Sequence, residues 1–229
     1  MEALFIYIIK STSLMLMFYC AYYFLLRKET FFNSNRWFLL SGLIVSVILP
    51  LLTYTKVIWI DAAPDFNTNF QTAFVNDSNN ESTDFNWTYF ILGLYAFGLV
   101  IFAIKLAIDF YSLNAIIKGK KIKQQADFKF IDINENIAPF SYFDYIVYNS
   151  SLYTPSELES ILEHEKVHSD QNHTLDVLIS RIFSIIFWFN PIVWFYKKAI
   201  TQNLEFIADS EAAKKLLDKK AYQYTLLKI

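Results

Sequence analysis

The 229-residue sequence predicts a mainly α-helical membrane protein: three transmembrane helices, then a cytoplasmic α+β domain carrying a re-entrant or interfacial helical elbow. Three observations predict it. The chain is 55% hydrophobic and 19% aromatic but only 18% charged, too apolar for an ordinary soluble domain. Three apolar runs reach the ~20 residues that a helix needs to cross a bilayer core. Beyond the third, the pattern changes to alternating strands and a strongly capped helix.

The first run extends over residues 3–26, interrupted only by Lys10, which lies close enough to one end to snorkel. A cleaved signal peptide would place charge before the run and small residues after it; here Arg27 and Lys28 follow it. The second run is 37–54, with Pro50 near its end, and the third is 87–108. Arg27, Lys28 and Arg36 mark the loop 27–36 as inner. The loop 56–86 holds one basic residue, Lys56, against Asp61, Asp65, Asp77, Glu81 and Asp84. Lys118, Lys120, Lys121, Lys123 and Lys129 follow the third run. The positive-inside rule then places the N-terminus outside, 56–86 outside, and everything from Asp109 inside. Domains follow as a transmembrane region, 1–108, and a cytoplasmic-side domain, 109–229. The sequons at Asn80 and Asn86 read as chance in an Asn- and Ser-rich loop. Net charge is −2, so no basic field points to nucleic acid, and the single Cys20 allows no internal disulfide.

After a basic turn at 118–123, DFKFIDIN (127–134) and IAPFSYFDYIVYN (137–149) read as strands. Thr154, Pro155 and Glu157 form a capping box that opens a helix running to about Gln171, with Leu158, Ile161 and Leu162 on its buried side. All three histidines lie in and just after this helix, in ILEHEKVHSDQNH (161–173). His164 and His168 are four apart and project from one face, the spacing by which two imidazoles bind one Zn²⁺. Glu165, inside the H-E-x-x-H arrangement, is placed to take a proton from the attacking water and pass it to the leaving amine. A third ligand is sought in NLEFIADSEAA, where Glu205 and Asp209 share a helix face: Glu205 completes a His₂Glu set, and Asp209 accepts from the non-coordinating nitrogen of a ligand histidine. His173 would lie about 140° round a continuing helix, poorly aimed at the same metal, which favours a supporting role. His173, Tyr222 and Tyr224 stand unranked as donors for the oxyanion.

The segment 175–196, between the two halves of this site, is apolar enough to resemble a fourth span. One crossing would put Glu205 and His164 on opposite sides, and two would need ~40 residues where 22 exist. Asn190-Pro191 breaks the helix, and Arg181 is unwelcome in lipid. The expectation is therefore an elbow, with Trp188 and Trp194 at headgroup level.

With these residues in hand, the sequence resembles the M56 peptidase family, membrane metallopeptidases that include the sensor-transducers of the BlaR1/MecR1 type, and most closely its form in Bacteroidota. The resemblance is carried by PFSYFDYIVYN (139–149), ILEHEKVHSDQNHTLDVL (161–178), FWFNPIVWFYKKAI (187–200) and NLEFIADSEAAKK (203–215). It implies a gluzincin-type zinc peptidase of the bacterial inner membrane, with His164, His168 and Glu205 as metal ligands, Glu165 as general base and Asp209 behind a ligand. It also implies that the segment before the zinc helix binds substrate backbone as an added strand. In the sensor-transducers an outside signal leads to removal of a cytoplasmic repressor, so the implied partner is a cytoplasmic protein substrate such as a transcriptional repressor. Those proteins add a further span and a penicillin-binding domain. This sequence ends at YQYTLLKI, so it is either a piece of a longer protein or senses elsewhere, and β-lactam recognition is not carried over. The reading from a different class is a catalytically silent signalling or anchoring module that zinc merely stabilises. A housekeeping protease would share the chemistry with a broader substrate range.

Overall fold

A computed structural model describes residues 2–52, 87–216, 222, 223 and 225. The proposed outer loop, its sequons, the last two residues of the second run and Tyr224 lie outside the described residues. Among the described residues, three helices are long and apolar enough to cross a membrane, at Glu2–Leu26, Phe32–Leu51 and Trp87–Ile117. The first comprises α1 (Glu2–Ala21) and a π-helical last turn, Tyr22–Leu26, in which Arg27 N donates to Tyr22 O. The second, α2 (Phe32–Ile48), starts five residues before the apolar run because Asn33, Ser34 and Asn35 supply its first turn. The third, α3 (Trp87–Ile117), has 31 residues and would be about 46 Å long, well over the ~30 Å of a hydrocarbon core. It passes the expected boundary at Ile108 because no breaker occurs between there and Gly119, whose φ of +78° favours glycine.

Beyond α3 lies a four-stranded sheet: β1 (Ile122–Gln125), β2 (Phe128–Asp132), β3 (Phe140–Tyr142) and β4 (Tyr145–Tyr148), in the order β1-β2-β4-β3. The central pair, β2 and β4, is parallel, and both outer pairs are antiparallel. β1 falls partly in the stretch expected to be a basic turn. Its IKQQ sequence carries no apolar alternation and every residue of the strand is exposed, so only pairing with β2 reveals it. Both sheet faces are covered, as alternation in β2 and β4 requires. Phe130, Ile146 and Tyr148 pack with Leu158 and Leu162; Ile131, Ile133 and Val147 pack with Ile116 and Ile117 at the end of α3.

Helix α4 (Pro155–Asp170) opens with the expected capping box, Glu157 N donating to Thr154 Oγ1 and Thr154 N to Glu157 Oε2. It does not continue through His173. Asn172, in the left-handed region at φ +54°, turns the chain into α5 (His173–Ile186), a conformation that asparagine tolerates. Phe187–Asn190 then reverses direction. Asn190 Oδ1 accepts from Ile192 N, and Pro191 starts α6 (Pro191–Lys215). The elbow is therefore a helical hairpin, α5 out and α6 back. Its tip lies beside the middle of α1, where Asn190 Nδ2 donates to Thr12 Oγ1 at 3.1 Å. It also meets the apolar half of α3: Trp188 Nε1 donates to Tyr95 O at 3.3 Å, and its indole crosses Gly98. Trp188 and Trp194 both contact Phe102. The two tryptophans expected at headgroup level thus pack against α3. They sit at mid-helix because a hairpin with an Asn-Pro tip can satisfy its broken backbone against α1 and α3. α6 joins the main core, where Tyr196, Ile200, Leu204 and Ile207 meet Met15, Leu39 and Leu43.

Candidate metal centre

The same-face spacing in α4 and the return of α6 bring the foreseen residues together. His164 Nε2 and His168 Nε2 are 3.1 Å apart, and Glu205 Oε2 lies 3.4 Å from the first and 3.6 Å from the second. These three donor atoms fall within 4.8 Å of one another, close enough for a single ion. Two neutral imidazoles and one carboxylate form a donor set suited to zinc, and half of the Glu205 side chain is exposed, which leaves an approach open. The residues present therefore fit a bound metal.

Behind His164, its other ring nitrogen lies 3.1 Å from Asp209 Oδ1 and 2.9 Å from Tyr222 Oη, while Tyr222 Oη donates to Asp209 Oδ1 at 3.0 Å. Asp209 thus lies beside His164, with Tyr222 as a partner the sequence did not suggest there. Burial would lower the His164 pKa, but hydrogen bonds to Asp209 and Glu205 outweigh it and hold the imidazole up at about 9. Hydrogen bonds from His164 and His168 in turn keep the Glu205 carboxyl well below the usual carboxylate range. Burial, then the Asp209 charge, push the Tyr222 phenol up. Tyr222 stands on the far side of the His164 ring from Glu205, so it is not aimed at a carbonyl bound in front of the cluster.

His173 lies behind the other ligand, its Nδ1 2.9 Å from His168 Nδ1. Burial, with the nearby His168 and Arg36, pushes its pKa down to about 3, so it is neutral. The supporting place expected for His173 is where the chain puts it. The mechanism is the break at Asn172, which turns the ring back toward His168, and not continuation of one helix.

Glu165 lines the same cleft as the cluster, an open space of about 510 Å³ bounded also by Pro139, Phe140, Ser141, Ile161 and Asp209. Burial raises its pKa against the pull of His168, His164 and the nearby Ser141 side chain. Ser141 carried no recognisable signal in the sequence. Its placement comes from the β3–β4 hairpin, whose turn holds Phe143 at φ +50°, an uncommon conformation for a bulky residue. Ser169 Oγ donates to Phe143 O at 2.6 Å, and Phe143 N donates to Thr174 Oγ1 at 3.1 Å. α4 and α5 thereby fasten the turn and set β3 along the cleft. A smaller cavity of about 210 Å³ opens from Ser141, His168 and Glu205 toward α3, walled by Leu106, Phe110, Leu113, Val177, Leu178 and Leu204. At its edge Arg181 Nη1 pairs with Asp109 Oδ2 at 2.8 Å, which answers the charge that made a lipid-exposed span unattractive.

Fold and site together define a membrane-associated α+β protein with a His-His-Glu cluster able to hold a metal. Residues 144–229 match the family model described as BlaR1 peptidase M56. A 72-residue stretch is 32% identical to the "Regulatory protein BlaR1" of Bacillus licheniformis, covering 31% of this chain and 12% of that protein. In this C-terminal part the chain is similar to the M56 peptidases and to BlaR1. The match spans about an eighth of the relative's length, so it does not extend to the relative as a whole.

Proposed function

We propose that the chain is an integral membrane zinc endopeptidase that cleaves a protein substrate at the cytoplasmic face, within signal-responsive proteolysis. The observation that carries this reading is the convergence of His164, His168 and Glu205 from two helices, with Glu165 beside them in one cleft. Zinc bound there supplies the Lewis acidity that activates water and polarises the scissile carbonyl.

The chain's own residues provide the remainder. β3 is an edge strand whose Phe140 and Ser141 line the cleft, so an extended substrate can add to it through backbone hydrogen bonds. A Glu165 carboxylate oxygen takes the proton of the attacking water and delivers it to the leaving amide nitrogen. Its raised pKa brings it nearer the working pH, as a general base requires. Asp209 accepts from His164 Nδ1 and His173 from His168 Nδ1, which leaves each Nε2 lone pair turned toward the cluster. The apolar 210 Å³ cavity receives an apolar side chain next to the scissile bond.

Helix geometry supports a site at the membrane surface. Asn190 lies beside the middle of α1, and fifteen residues of α6 from there to Glu205 span about 22 Å against the ~15 Å of half a hydrocarbon core. With the basic residues after α3 facing inward, this surface is the inner one.

The test is zinc per chain in detergent-purified protein, with cleavage of a peptide library measured alongside. One zinc in the wild type, lost or sharply weakened in His164→Ala and Glu205→Ala, is the expected result. Glu165→Gln should keep zinc and lose cleavage. Zinc retained in Glu205→Ala would overturn the ligand set, and a Glu165→Gln protein that still performs its cellular role would favour the silent module.

A further inference from the structure

We propose that Arg36, on membrane helix α2, is a positioning residue for the His168 imidazole, acting through the α4–α5 corner and His173. The inference rests on the reading of His164, His168 and Glu205 as metal ligands.

The corner between α4 and α5 is where the histidine arrangement is decided, and Arg36 holds it from both sides of His173. Its Nη2 donates to Gln171 O at 2.9 Å and its Nη1 to Gln171 Oε1 at 3.3 Å. Its Nε lies 2.7 Å from Asp176 Oδ2, a close ion pair and not an aligned hydrogen bond. Gln171 precedes the left-handed Asn172, and Asp176 lies in the first turn of α5, so the two anchors bracket His173. The side chains of Arg36 and Asp176 are only 13% and 6% exposed. A planar guanidinium addresses the carbonyl, amide and carboxylate through a fixed fork of donors, a geometry that an ammonium lacks. Among the described residues no other cation contacts Asp176.

What the corner fixes is the ring of His173. It is 2% exposed, and its Nδ1 faces His168 Nδ1 at 2.9 Å. One proton lies between the two nitrogens. With a metal held at its Nε2, the hydrogen of His168 is on Nδ1 and is donated to His173. A ligand histidine is commonly oriented by a carboxylate or a backbone carbonyl. Here a neutral imidazole at a helix start does it, and that ring is only as fixed as the backbone carrying it. Arg36 supplies the fixing from α2, with no loop between. A shift of α2 against α5 therefore reaches His168 through three contacts, giving the membrane helices a direct hold on the geometry of the site.

The experiment uses the full chain in nanodiscs, loaded with Co²⁺, whose d–d absorption reports ligand geometry, and with Zn²⁺ affinity and melting temperature measured in parallel. The variants are Arg36→Gln with Asp176→Asn, which leaves no unpaired buried charge, and Arg36→Lys, which keeps the ion pair and loses the fork. His173→Phe and its combination with the Arg36 changes complete the set. Tyr7→Phe, which removes a hydrogen bond to Val47 O between α1 and α2, is the control for loosened packing. We expect shifted cobalt bands and metal affinity weakened roughly tenfold in the Arg36/Asp176 pair, since changes behind a ligand cost 10–100-fold. Arg36→Lys should fall between, His173→Phe should shift the bands likewise, and the combination should go no further, because Arg36 acts through His173. Tyr7→Phe should leave the bands in place. If the Arg36 variants melt earlier with bands and affinity unchanged, or if their effects add to those of His173→Phe, the proposal is wrong. A wild type that binds no cobalt would remove the metal reading itself, and this inference with it.

Discussion

Substituting Gly98 by alanine tests the docking of the hairpin that returns Glu205 to the histidines. A Cβ built at Gly98 meets Trp188 at 2.3, 2.5 and 2.7 Å, all ring atoms of the indole. Carbon atoms pack at about 3.5–4.0 Å, so the methyl would intrude by more than 1 Å on a rigid ring. The ring has little room to yield. Its Nε1 is bonded to Tyr95 O, Phe102 lies against it at 6.3 Å, and Trp188 O accepts from Trp194 Nε1 at 3.0 Å. Overpacking of this kind costs about 1–3 kcal/mol. For a chain of this size 1 kcal/mol is worth about 2–4 °C, so Gly98→Ala should lower the melting temperature by roughly 2–12 °C. Trp188→Leu alone loses the indole contacts and should also destabilise. Added to Trp188→Leu, however, Gly98→Ala should cost nothing more, because the clashing ring is gone. Melting of all four proteins in one detergent, with zinc content of each, provides the cycle. A neutral Gly98→Ala, or one whose cost persists without the indole, would refute the docking of the hairpin against α3.

Three further outcomes are expected. Thr154→Ala removes the cap of α4 and should cost about 1 kcal/mol, read as a lower melting temperature with the zinc stoichiometry retained. Zinc binding should weaken as pH falls. The His164 pKa is raised to about 9 in the metal-free protein, so below that pH the imidazole carries a proton that zinc must displace, adding a factor of about ten in Kd per pH unit between pH 8 and 6. Competition titrations check this, and a Kd independent of pH would contradict it. Leu178→Trp should fill the cavity beside His168 and Glu205 and lower kcat/KM for peptides with large apolar residues next to the cleaved bond far more than for those with alanine, at unchanged zinc content. Equal losses on both peptide sets would mean that the cavity takes no part in selection.

Much of this protein could be read from its residues one element at a time. The apolar runs, the Thr154–Glu157 box, the pairing of His164 with His168, and the Asn190-Pro191 break are all local signals, because helix period, capping and proline geometry act within a few residues. Even the meeting of Glu205 with the histidines could be inferred, since 22 residues cannot cross a bilayer twice. Tertiary structure decided what depends on partners distant in sequence. β1 has no alternation of its own and exists through β2. The hairpin docks on α3 because Gly98 and Tyr95 O, some ninety residues earlier, accept the Trp188 indole. Ser141 lines the cleft with Glu165 because Ser169 and Thr174 hold Phe143 in a conformation it would not choose alone. Above all, one left-handed residue, Asn172, turns His173 back onto His168, and Arg36 of α2 grips the corner so formed. Spacing along a chain determines which side chains share a face of one helix. Which faces then meet is set by packing and buried hydrogen bonds between elements, and these the linear sequence carries only implicitly.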